Sequence, residues 1–144
     1  MVPLRVWATL ALSLGCAVVA LAGCGGSKSP VDNDHAVQVK ERDFHLSAPS
    51  QLPAGETTFS VRNRGPIEHE LIVVRKRPGS SLPMRADGLT IDEERVESNE
   101  VGALEPGEPG VRQLDVHLAP GRYEMFCNMS GHFKAGMHHS LVVQ

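Results

Sequence analysis

Cysteine is scarce in this chain: three among 144 residues, at positions 16, 24 and 127. Aromatic residues are few as well, with one tryptophan, one tyrosine and four phenylalanines. Neither sign of charge dominates, and the formal net charge of −3 excludes the strongly basic surface on which nucleic-acid binding depends. No internal repeat is present, so solenoid and propeller arrays are excluded. What remains is the composition of one small domain with a modest apolar core.

The first 30 residues, "MVPLRVWATLALSLGCAVVALAGCGGSKSP", place one basic residue, Arg5, before an apolar stretch that ends in small residues at Leu21-Ala22-Gly23. This is the layout of a secretory signal. The tetrapeptide "LAGC" resembles the lipobox of bacterial lipoproteins, which implies cleavage before Cys24 and lipidation of that cysteine. An uncleaved membrane helix is the alternative, since the apolar run is nearly long enough to span a bilayer. The expected division is a signal peptide over residues 1–23, a flexible tether from the lipidated cysteine over 24–34, and a domain over 35–144. Cleavage takes away Arg5 and no acid, so the charge of −3 becomes −4. It also leaves Cys127 as the one cysteine of the folded part, which rules out an intramolecular disulfide there. A free thiol in an oxidising compartment is a liability unless it is buried or bound to a metal.

From His35 onward, short β-rich runs alternate with Pro/Gly turns: "HAVQVKERDFHLS", "TTFSVRN", "HELIVVRK", "VRQLDVHL", "RYEMFCNM" and "MHHSLVVQ". Period-2 runs at this spacing predict an all-β sandwich or barrel. Val37 and Val39 share a parity that Phe44 and Leu46 do not, so a break near Glu41-Arg42 is needed to turn both pairs inward. In "HELIVVRK" His69, Leu71 and Val73 form one apolar face, and Ile72 and Val74 the other. That strand is therefore buried on both sides, and the covering is expected from the irregular, acidic stretch 78–110. One short helix there can start at Thr90 as N-cap, with Glu93 three residues on.

The chemistry concentrates in "YEMFCNMSGHFKAGMHHSLVV". Tyr123, Met125 and Cys127 point one way along a strand, and Phe126 and Asn128 the other. After the strand, Gly131 and Gly136 permit a tight loop that brings His132 and Met137 back over Cys127. A fourth donor is expected in His69, which follows the turn "NRGPIE". One thiolate, two imidazoles and a thioether make a nitrogen-and-sulfur set suited to copper. Zinc accepts the first three but has little affinity for thioether. Met125 reads as core, Met129 as lining the opening or exposed, and the adjacent His138 and His139 face opposite sides of their strand. His35, His45 and His117 read as surface residues.

The paired motifs Asn63-x-Gly65-x-x-x-His69 and Cys127-x4-His132-x4-Met137 resemble those of the cupredoxins, the blue copper proteins, over about residues 36–144. The ligand-loop spacing is that of rusticyanin-like members. The resemblance implies a Greek-key β-sandwich with one type 1 copper, His69, Cys127 and His132 in its trigonal plane and Met137 axial. It further implies a one-electron carrier rather than an enzyme, with the electron leaving through His132 within an apolar patch to which Phe133 and Met129 contribute. Copper delivery to an extracytoplasmic cuproenzyme is the alternative. Family members commonly have Asn or Ser after the first histidine, where this chain has Glu70. A monomer is expected, lipid-anchored to the bacterial cell envelope. Its partners would be cytochromes or a terminal oxidase within reach of a tether of about 15–20 Å.

The anchor is testable in cells. Cys24→Ala should release or misprocess the protein, read by membrane fractionation. A variant still membrane-bound and correctly cleaved would rule out lipidation at Cys24.

Overall fold

The computed structural model describes residues 35–144; the expected signal segment, Cys24 and the tether lie outside the described residues. Nine strands form two packed sheets: β1 Val37–Arg42, β2 His45–Ser47, β3 Gln51–Leu52, β4 Gly55–Asn63, β5 His69–Lys76, β6 Glu100–Gly107, β7 Gly110–Leu118, β8 Gly121–Phe126 and β9 His138–Val143. One sheet has the order β2-β1-β4-β7 and the other β3-β9-β8-β5-β6. The chain changes sheet after β2, β3, β4, β6 and β7, giving the expected Greek-key β-sandwich. Alternating between sheets lets successive strands bury their inward apolar faces against one another.

The core between the sheets takes the faces of β5 and β8 that parity selected, together with the inward face of β4. Phe59 and Val61 of β4, Leu71 and Val73 of β5, and Tyr123 and Met125 of β8 are all buried there. Each such side chain contributes about 1.5–3 kcal/mol on leaving water. The second face of β5 is covered as expected. Ile72 and Val74 pack with Phe126 of β8 and with Ile91 and Val96 from the 78–110 stretch.

Three expectations are corrected. The break between β1 and β2 falls at Asp43-Phe44, not at Glu41-Arg42, and Phe44 lies 48 % exposed with φ +60°. The inward parity of β1 continues through Val39 to Glu41, so the hairpin tip at Phe44 is left outside. The helix, α1, spans Glu93–Val96 with Asp92 at its N-cap, later than Thr90. Asn128 accepts a hydrogen bond from the Ile91 N–H (2.5 Å) and donates to its carbonyl (3.0 Å), which holds that segment extended. Finally, part of the stretch read as irregular forms β6, an edge strand paired with β5. Its acids and glycines mask the strand pattern, and edge strands tolerate both. Gly102 has a packing reason: a Cβ there would stand 2.7 Å from Val116 Cγ1 where β6 closes over β7.

Glu41 is the anomaly of the core. It is fully buried opposite Asn63, and Arg112 Nη2 approaches its Oε2 to 3.6 Å, just beyond hydrogen-bond reach. Burial pushes its pKa up to about 7, with Arg112 opposing the rise and Glu70 adding to it. The unfolded chain releases this proton near its ordinary value of 4.5, whereas the fold retains it to about 7. The stability linked to the neutral carboxyl is therefore complete below about pH 4.5 and is lost as pH rises through 7. Glu41→Gln should remove that loss. In urea unfolding of the metal-free protein, the variant should gain on the order of 3 kcal/mol relative to wild type between pH 4.5 and 8. A difference constant across that range would contradict a protonated Glu41.

Candidate metal centre

Cys127 follows β8 directly and is fully buried; its N–H donates to the Met137 carbonyl at 3.1 Å. The loop between them folds on its own backbone. His132 N–H donates to the Met129 carbonyl (2.9 Å), and Met137 N–H to the His132 carbonyl (3.0 Å). Gly131 and Gly136 take φ values of +82° and +105°, the left-handed backbone that these bends require. His132 Nδ1 thereby comes to 3.3 Å from Cys127 Sγ.

His69 reaches the same point from the other side. Asn63 shapes the turn before it, accepting a hydrogen bond from Gly65 N–H (2.9 Å) and donating to the Ile67 carbonyl (2.8 Å). Gly65 must lack a side chain, because a Cβ there would lie 2.5 Å from Asp43 Oδ1 and 3.1 Å from His69 Nε2. Arg112 Nη2 donates to the His69 carbonyl at 2.8 Å and fixes the first residue of β5. The result is that one ligand atom each from His69, Cys127 and His132 lie within 4.8 Å of one another. Met137 is fully buried in the same cluster as Cys127, at the end of the loop.

The protonation states follow from desolvation. Burial raises the Cys127 thiol to about 11, although the Glu70 and Met129 N–H groups point at its sulfur and favour the thiolate. Burial lowers the pKa of His69, with His132 adding to the fall and Asp43 opposing it. His132 is lowered by burial too, again against Asp43. Both imidazoles are thus neutral near pH 7, with lone pairs available, and neither ring nitrogen of His69 has a hydrogen-bond partner. Two orphaned buried nitrogens cost several kcal/mol. A cation among the donors would take up one of them and stabilise the thiolate. The residues present fit a metal ion, and the mixed donor set suits copper.

Three supporting residues were not singled out by sequence. Asn128 couples the loop to the 78–110 stretch, bonding Ile91 and, at 2.6 Å, Glu93 Oε1. Phe44 stands edge-on to His132 with ring centroids 5.2 Å apart. Arg112 holds His69 from β7. No local pattern marks these residues; the fold brings them to the site. Phe133, expected beside the opening, instead packs against Phe126 and His138. Met129 is partly buried against the core, and His35, His45 and His117 are exposed as expected.

Neither a comparison with protein-family models nor one with curated proteins finds a match. Solved structures do. Auracyanin from the photosynthetic bacterium Roseiflexus castenholzii superposes with TM-score 0.56 at 15 % identity, covering 76 % of this chain and 97 % of that one. Auracyanin B gives 0.56 at 20 %, covering 76 % and 88 %. Rusticyanin from Thiobacillus ferrooxidans gives 0.55 at 17 %, covering 76 % and 78 %. The fold is that of the cupredoxins. At these identities the likeness establishes architecture, and the site has to be argued from its own residues.

Glu70 follows His69 directly in β5. Its N–H points at the Cys127 sulfur, and its Oε1 accepts the Asn128 N–H at 2.8 Å. The carboxylate thus straps β5 to the backbone just beyond the cysteine. Glu70→Ala should weaken metal retention roughly tenfold, as loss of an outer hydrogen-bond partner commonly does. Glu70→Gln, which keeps an acceptor, should stay near wild type. Competition with a copper chelator measures both, and equal retention in all three proteins would contradict the strap.

Proposed function

We propose that this domain binds one copper ion through His69, Cys127 and His132, with Met137 as a weak fourth donor, and carries single electrons outside the cytoplasm. The observation that carries the reading is the buried convergence of one thiol and two neutral imidazoles, with the His69 nitrogens unpartnered. Copper held there supplies one-electron chemistry by alternating between its two common oxidation states. Rusticyanin, among the structural neighbours, is a copper protein.

The chain's own residues prepare the site for that role. The strands, the self-bonded loop and the Glu70 strap hold the donors in place in either state, so little rearrangement accompanies a change of charge. Burial excludes water from Cys127, His69 and Met137, while His132 retains 7 % exposure and Phe44 presents an apolar edge beside it. His132 is therefore the natural exit for an electron. Of the four soft or borderline donors that would suit copper delivery, Met125, Met129, His138 and His139, Met129 is only partly buried and the other three are engaged elsewhere. Met125 is core, His138 Nδ1 bonds Glu124 Oε1 at 2.9 Å, and His139 Nε2 lies 3.5 Å from Ser50 Oγ. Envelope location and a lipid anchor at Cys24 belong to the proposal on the strength of the N-terminal sequence.

Visible spectroscopy of the copper-loaded protein tests the site. Wild type should show the intense absorption of a copper thiolate, and Cys127→Ser and His69→Ala should lose it. Met137→Leu should keep the colour and raise the reduction potential. The rise should be on the order of 60 mV, a tenfold shift in the relative affinity for the two states of a one-electron couple. Colour surviving in Cys127→Ser would reject the centre.

A further inference from the structure

β5 and β8 run from one end of the sandwich to the other, and their distal ends carry a concentration of cations. β5 finishes in Arg75 and Lys76, Arg77 follows, and β8 sets Arg122 directly opposite Lys76. With Asn99 and Val143 these residues wall a hollow of about 580 Å³. A smaller adjoining hollow shares Arg75, Lys76 and Arg77 and adds Arg95. Lys76 is neutralised by the buried Glu124, Nζ to Oε2 2.8 Å. Arg75 donates to the Pro120 carbonyl at 2.8 Å, which leaves its charge uncompensated. Arg75, Arg77, Arg95 and Arg122 make no ion pair among the described residues. Glu93, Glu94, Glu97 and Glu100 line a separate depression. Across the two adjoining hollows, four guanidinium groups without an ion pair are gathered at one end of a protein of net charge −3.

Position decides what this surface faces. His69 and Lys76 bound an eight-residue strand, so about 23 Å separates the metal donors from the cationic end. β1 pairs in parallel with β4 from Val37 opposite Phe59 to Glu41 opposite Asn63, so it runs towards the metal end. Its first residue, Val37, therefore lies farther from the metal end than its last pairing residue, Glu41. We propose that this cationic end is a docking face for an anionic phospholipid surface, the arginines seating against lipid phosphates. The metal end then points away from the bilayer. Where Cys24 is lipidated, as the proposed function has it, anchor and docking face act together. The tether brings the domain to the membrane, and the arginines set which end faces out. Donors of electrons to the site would then have to be soluble or carry a head that stands on the order of 20–30 Å clear of the membrane.

The test uses the chain from residue 25 onward. It retains every strand and both apolar clusters, so it keeps the described fold, and it carries no lipid. Cosedimentation with vesicles of phosphatidylcholine containing 30 % phosphatidylglycerol, at about 0.05 M salt, should show binding that pure phosphatidylcholine does not. It should disappear near 0.5 M, where screening is short-ranged. Arg77→Gln, Arg95→Gln and Arg122→Gln together remove three charges from side chains with no assigned partner. They should weaken binding on the order of 100-fold. Arg42→Gln, Arg62→Gln and Arg64→Gln, exposed at the metal end, change net charge equally and should leave binding within a few fold. Any of three results overturns the docking face: no binding by the unaltered chain, equal losses in the two triple variants, or displacement by millimolar inorganic phosphate at constant ionic strength. The last would assign the hollow to a free anion instead. Because the chain used lacks Cys24, its result is independent of the fractionation test of lipidation.

Discussion

A thiol and two imidazoles held out of water within 4.8 Å of one another form the constraint on which the rest of this structure depends. Desolvation disfavours every charged form there, so Cys127 keeps its proton and both histidines stay neutral. His132 has the Cys127 sulfur as its neighbour, and neither ring nitrogen of His69 has a hydrogen-bond partner. Such an arrangement persists only where the surrounding fold over-determines it. That explains the density of backbone and side-chain bonds around the ligand loop: Asn63 on the turn before His69, Arg112 on its carbonyl, and Glu70 on the Asn128 N–H.

Asn128 links this site to the second apolar cluster. Its backbone accepts the restraint from Glu70, while its side chain fixes Ile91, which covers the outer face of β5 and β8. The 78–110 stretch is therefore more than a lid on Ile72 and Val74. Through one residue, its packing and the position of Cys127 are mechanically joined. Phe44 makes a different contribution. Its backbone sits in the left-handed region, which costs a non-glycine residue about 1 kcal/mol or more, and its ring is left half in solvent against His132. A strained aromatic thus lies half exposed beside the most accessible donor of the cluster.

The charged groups are distributed with the same economy. Glu41 and Arg112 lie together inside the sandwich near the start of β5, where burial keeps the carboxyl protonated to about pH 7. Glu124 is buried too, yet three donors, Lys76, Ser140 and His138, surround it and hold its pKa below the usual carboxylate range despite burial. The contrast between two buried glutamates shows that hydrogen-bond supply decides ionisation here, with depth alone insufficient.

Period-2 alternation was enough to identify an all-β chain, to orient β5 and β8, and to recognise that β5 is buried on both faces, because strand faces follow directly from residue parity. The spacing of Cys127, His132 and Met137 was legible for a related reason: a short loop with two glycines limits where its side chains can meet. His69 could be paired with them through its motif, though the approach of the two segments is a matter of sheet packing. What sequence did not reveal is non-local. β6 hides among glycines and acids because an edge strand needs only one partner, and Phe44 is exposed because the inward parity of β1 runs on to Glu41. Asn128, Arg112 and the cationic end are assembled from residues tens of positions apart. Local patterns fix which way a side chain points from its own strand, and only the packed sheets decide what it meets there.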